Sequence, residues 1–115
     1  MQLNSTETMA FEISKKIAQK FGNKISSRQI YDVVDEASHR AFKISFIAYD
    51  YFVVLFNYEL DIIGFSIEVG AAKYISLSKN HNCYSGVNMD SYLEEIKNEL
   101  ELRIPDKFLE ARGWK

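Results

Sequence analysis

One cysteine, one proline and five glycines stand in 115 residues, and each shortage removes something. With Cys83 alone there can be no internal disulfide, which points to a reducing compartment. Gly22, Gly64, Gly70, Gly86 and Gly113 are scattered, so no GxGxxG and no P-loop occurs and a nucleotide cofactor is not expected. There is no internal repeat, linker or low-complexity tract. The longest apolar run, near Phe52 to Phe56, has the length of a strand and falls far short of the roughly 20 residues a membrane helix needs. Met1 to Ala10 carries neither a basic residue nor an apolar run, so no signal peptide is expected. The expectation is a cytoplasmic protein with no membrane segment.

Basic charge is also in short supply. The formal net charge is -2 and the isoelectric point about 5.7, which argues against direct binding of nucleic acid. The imbalance is uneven along the chain. Residues 1–45 hold seven Lys and Arg against five Asp and Glu, net +2, whereas 46–110 hold five against eleven, net -6, and Arg112 and Lys115 restore +2. An acidic second half suits either solvated polar faces or steering toward a basic partner.

What the chain does have is apolar and aromatic residues, at 47% and 14%, enough for one domain spanning 1–115 with an aromatic core. From Arg40 to Leu77 it reads as antiparallel sheet. Phe42, Ile44, Phe46 and Ala48 alternate with Lys43, Ser45, Ile47 and Tyr49, and Ile63, Phe65, Ile67 and Val69 alternate with Ile62, Gly64, Ser66 and Glu68. Tyr51 to Tyr58 is apolar on both faces. Turns are expected near Tyr49 and Asp50, from Tyr58 to Asp61, and at Gly70 to Ala72, which gives a meander of four strands.

Helices flank this meander. Met9, Ala10, Ile13, Ile17 and Phe21 make one stripe of a first helix opened by Asn4 or Ser5 and stopped by Gly22 and Asn23. Ser26 or Ser27 opens a shorter second helix through Ile30, Val33, Val34 and Ala37, although the β-branched content of 27–38 also suits a strand. After Ser78 the run KNHNCYSGVN reads as a surface loop. Asn88 or Asp90 then starts a helix with Met89, Leu93, Ile96, Leu100 and Ile104 inside; Pro105 ends it and opens a last turn of helix closed by Gly113. The fold class is therefore α+β: a four-stranded antiparallel β-meander flanked by N-terminal helices and a C-terminal helix.

Catalytic chemistry is not visible. His81 and Cys83 share a loop, but zinc needs four ligands, or three plus water, and the only other histidine is His39, so no metal site is expected. Asp35 with Glu36 and Glu94 with Glu95 read as wet helix faces, and Lys15, Lys16, Lys20, Lys24 and Arg28 as an ordinary basic helix end. Parity instead puts Gly64, Ser66 and Glu68 on one sheet face with Lys43, Ser45, Tyr74 and Ser76, a small and polar surface rimmed by tyrosines. Tyr49, Tyr51, Tyr58, Glu59, Asp61 and Glu68 are the candidate partner-binding residues, because tyrosines anchor interfaces at low entropic cost and the carboxylates favour a basic partner.

The sheet core SFIAYDYFVVLFNYELDIIGFSIEV and the closing helix DSYLEEIKNELELRIPDKFLEARGWK, in a small acidic chain with no catalytic set, resemble in style the immunity proteins of bacterial contact-dependent and polymorphic toxin systems. That resemblance implies a small cytoplasmic inhibitor with no cofactor, not an enzyme. It would neutralise a cognate protein toxin, a nuclease by expectation, through acidic groups or through a strand edge that accepts a toxin hairpin. Two other classes fit the same composition: a dimeric secretion-type chaperone, and a small ligand-binding or enzymatic α+β domain whose site is built from Tyr, Ser and Glu.

Overall fold

Ala10, Ile13, Ile17 and Phe21 recur at helical spacing, and the helix they imply is α1, Ser5–Phe21, which buries all four. The computed structural model describes residues 5–78 and 82–115, the side chain of Asn82 excepted. The proposed cap at Asn4 and the loop residue His81 lie outside the described residues. Gly22, with φ +58°, ends α1 in the left-handed region where a glycine costs least.

Among the described residues six strands follow: β1 Ile25–Glu36, β2 His39–Ala48, β3 Phe52–Glu59, β4 Ile62–Gly70, β5 Lys73–Ser76 and the two-residue β6, Asn82–Cys83. The first five form an antiparallel meander in chain order, and β6 pairs with β4 beyond the end of β5. Helices α2, Met89–Leu102, and α3, Asp106–Ala111, close the chain. Asn88 caps α2 by accepting a hydrogen bond from the Ser91 amide, as the sequence suggested.

At residues 27–38, where the sequence suited a helix or a strand, the strand is what forms. The second helix there is the edge strand β1, so the meander has five strands rather than four. The cause is two β-bulges. Ser26 faces Ile47 and Gln29 faces Ser45, and again Tyr31 faces Lys43 and Val34 faces Ala41, so β1 admits one extra residue at each place. Ser27 and Asp32, in the two gaps, adopt φ of 57° and 52°. Each extra residue breaks the period of two, and the apolar residues left at mixed spacing imitate a helical stripe.

The core lies between the sheet and the helices. Phe42, Ile44, Phe46 and Ala48 of β2 are buried together with Val54, Phe56 and Tyr58 of β3 and Ile63, Phe65 and Ile67 of β4. Phe42 stacks on Tyr58 at 5.1 Å, and Phe65 meets Phe56 at 4.9 Å and Tyr92 of α2 at 5.6 Å. Such pairs add about 0.5–1.5 kcal/mol each beyond their buried area. Among the described residues no helix is long and apolar enough to cross a membrane.

The outer edge of β4 is closed almost completely. β5 pairs with it from Ser66 to Gly70, the Leu77 amide donates to the Phe65 carbonyl, and the Phe65 amide donates to Ser78 Oγ at 3.1 Å. β6 then takes Ile62 and Ile63. Among the described residues β1, at the opposite side, pairs with β2 alone.

Candidate protein-docking surfaces

The six residues singled out from sequence do not form one patch. Tyr49 is 0% exposed: its ring packs against Phe21 and Trp114, and its hydroxyl donates to Glu101 Oε2. Burial first, then that hydrogen bond and the carboxylate charge, raise its phenol far above the usual value. Tyr58 is 7% exposed and belongs to the core face. Neither ring is available to a partner in this arrangement. Tyr51 is exposed at the other end of the hairpin, edge-on to Phe52 and Phe108.

The three carboxylates divide as well. Glu59 precedes the β3–β4 turn and Asp61 is its second residue; Glu59 Oε2 meets His39 Nε2 at 2.7 Å and Asp61 accepts from the Ser85 amide and hydroxyl at 3.0 and 2.6 Å. Glu68 lies six residues along β4 from Ile62, roughly 20 Å away at strand rise. Asp61 therefore ties the segment after β6 to the hairpin, whereas Glu59 and Glu68 point outward at separate places.

Cross-strand register does place the polar face where parity put it. Lys43, Asn57 and Gly64 lie in one row, and Ser45, Leu55, Ser66 and Ser76 in the next, on the side away from the core. Glu68 faces Tyr74, and Tyr31 of β1 faces Lys43. Lys43 Nζ stands 3.4 Å from Asp32. Burial is the main cause that raises the Tyr31 phenol, and the Lys43 ammonium opposes it.

The feature that sequence reasoning missed is the other side of β1. Between the bulges, Gln29 to Tyr31 form a short regular window, with Arg28 at the end of the first bulge. Arg28 reaches back to α1, donating to the Ser14 carbonyl and to Ser14 Oγ at 3.0 and 2.8 Å. Ile30 faces Ile44 on the core side. With Phe11, Ser14, Lys15 and Ala18 of α1, these two side chains line a groove of about 620 Å³ beside the unpaired strand edge. Phe11 is 53% exposed. A signal for it existed, since Phe11 is an aromatic off the buried stripe of α1, yet its strand neighbour was hidden while 26–37 read as helix.

A second cleft, about 760 Å³, opens between α1 and α2 and includes Lys16, Lys20, Met89, Asp90, Glu94 and Lys97. Lys20 bridges Asp90 and Glu94 at 2.7 and 3.2 Å, and the Asp90 contact is the main reason its ammonium pKa is raised. This is an internal charge clamp between the helices. Among the described residues no three His, Cys, Asp or Glu side chains gather as a metal would require. No protein-family model, no curated protein and no solved structure matches this chain, so its functional reading rests on its own geometry.

Proposed function

We propose that this domain is a protein-binding inhibitor of the immunity type, which holds a cognate toxin domain by strand addition at β1. The observation that carries the reading is the coincidence of three things at one place. Among the described residues β1 lacks an outer neighbour, its bulges leave the Gln29–Tyr31 window, and a groove runs beside that window. An added strand forms main-chain hydrogen bonds with little regard to its sequence, while alternate side chains dropping toward Phe11, Ala18 and Ile30 supply selectivity. The bulges serve the same end. They limit pairing to a few residues and so protect a long edge from indiscriminate association.

The test is capture of the partner by the tagged protein in its source cells, followed by hydrogen exchange on the isolated complex. A toxin bound at one-to-one stoichiometry should slow exchange within Gln29–Tyr31 and be released by Phe11→Ala combined with Lys15→Glu, both exposed positions on α1. A complex in which those amides exchange as in the free protein would remove β1 from the interface.

A further inference from the structure

Seven described non-glycine residues have positive φ, and six of them have a visible reason. Ser27 and Asp32 are short polar residues at the bulges, and Ala72 is small. Tyr49 recovers its cost by burying a whole ring, Asp50 pairs with Arg112 at 2.5 Å, and Asp61 accepts two hydrogen bonds from Ser85. Leu60 is the exception. It occupies the first of two left-handed positions in a two-residue hairpin turn, φ 49° followed by 70° at Asp61, where asparagine or glycine is favoured. It also leaves a leucine side chain 58% exposed at the tip. The Leu60 amide donates to the Arg40 carbonyl at 3.1 Å, which holds the backbone, but the strain and the apolar exposure of the side chain both work against folding here.

We propose that Leu60 is an anchor residue that enters an apolar socket on the partner, rimmed by lysine or arginine. The surroundings define the socket. Ile62, 52% exposed, widens the apolar tip, and the adjoining strand ends carry Glu36, Glu59 paired with His39 at 2.7 Å, and Asp35 at 3.8 Å from Arg40, a rim with more acidic than basic groups. An apolar knob inside an acidic collar matches an apolar hole inside a basic one, with the buried centre supplying affinity and the rim steering the approach. A tight two-residue turn presents the side chain already ordered, so little freedom is lost on docking. This rests on the protein-binding reading but uses a different surface from the β1 edge.

The experiment has two readouts. Leu60→Asn should raise the melting temperature by about 3 °C over wild type, because asparagine tolerates the left-handed region, whereas Leu60→Ala should give no rise. A diazirine amino acid placed at position 60 should cross-link one protein in the source cells, through an apolar residue flanked by cations. The same group at Leu102, 78% exposed on α2, should not. A Leu60→Asn variant no more stable than Leu60→Ala would overturn the strain argument. Identical products from positions 60 and 102 would overturn the anchor. A partner captured with β1 protected but never cross-linked from position 60 would refute this inference alone; absence of any partner would refute the inhibitor reading with it.

Discussion

Replacing Tyr49 by phenylalanine removes one oxygen and leaves every ring contact in place, so it isolates the hydroxyl bond to Glu101. Hydrogen bonds to a charged group contribute about 1.5–3 kcal/mol, and Glu101 is only partly buried, so its carboxylate recovers water when the phenol is gone. The expected loss is therefore at the low end, about 1.5 kcal/mol, or roughly 6 °C in melting temperature for a chain of this size. Its pH dependence gives a second handle. The folded phenol is raised above its unfolded value near 10, so the stabilisation is complete below about pH 10 and is lost as pH climbs through the folded value. Urea titrations followed by circular dichroism should show wild type weakening above pH 10 and Tyr49→Phe weakening less steeply there. A change under about 0.5 kcal/mol at pH 7, or equal alkaline slopes, would refute the reasoning. A double-mutant cycle with Glu101→Gln assigns the coupling to this pair.

Phe65→Ala should cost about 3–5 kcal/mol, because Phe65 is 1% exposed among Phe46, Phe56 and Tyr92; a mild effect in equilibrium unfolding would mean that its strand face is assigned wrongly. Ser78→Ala takes away the acceptor of the Phe65 amide and a 2.6 Å partner of the Tyr92 hydroxyl, so it should cost about 1–2 kcal/mol and speed hydrogen exchange at Phe65; unchanged exchange would show that β4 is sealed by something else. Asp61→Ala should accelerate exchange at the Ser85 amide while leaving the hairpin amides protected, and global loosening of β3 and β4 instead would give Asp61 a larger role than tethering.

Local periodicity was enough for much of the architecture. Ala10, Ile13, Ile17 and Phe21 announced α1, Met89 to Leu100 announced α2, and alternation gave the buried faces of β2 and of β4 as far as Ile67; Val69, read in the same series, is 50% exposed beside a register shift. The same alternation placed Lys43, Ser45, Gly64, Ser66 and Tyr74 on the outward face, because a strand has only two sides and one must meet the core. β1 was not legible in this way. Its bulges at Ser27 and Asp32 are stabilised by pairing with β2, a non-local interaction, and they erase the period by which a strand is recognised.

The candidate surfaces needed tertiary structure still more. Tyr49 and Tyr58 have the composition of interface residues, but a left-handed turn swings one ring under Trp114 and the register with Phe42 stacks the other in the core. Glu59 and Glu68 are near in sequence and far apart in space because β4 is extended. Alternation along the chain decided which residues are apolar-inward. Only the folded chain decided that Phe11 and Ile30, nineteen positions apart in sequence, share a groove beside the β1 edge, unpaired among the described residues, and that Leu60 holds a strained turn in solvent. Pairing partners, bulges and turn handedness are set by contacts between distant segments, which no local pattern encodes.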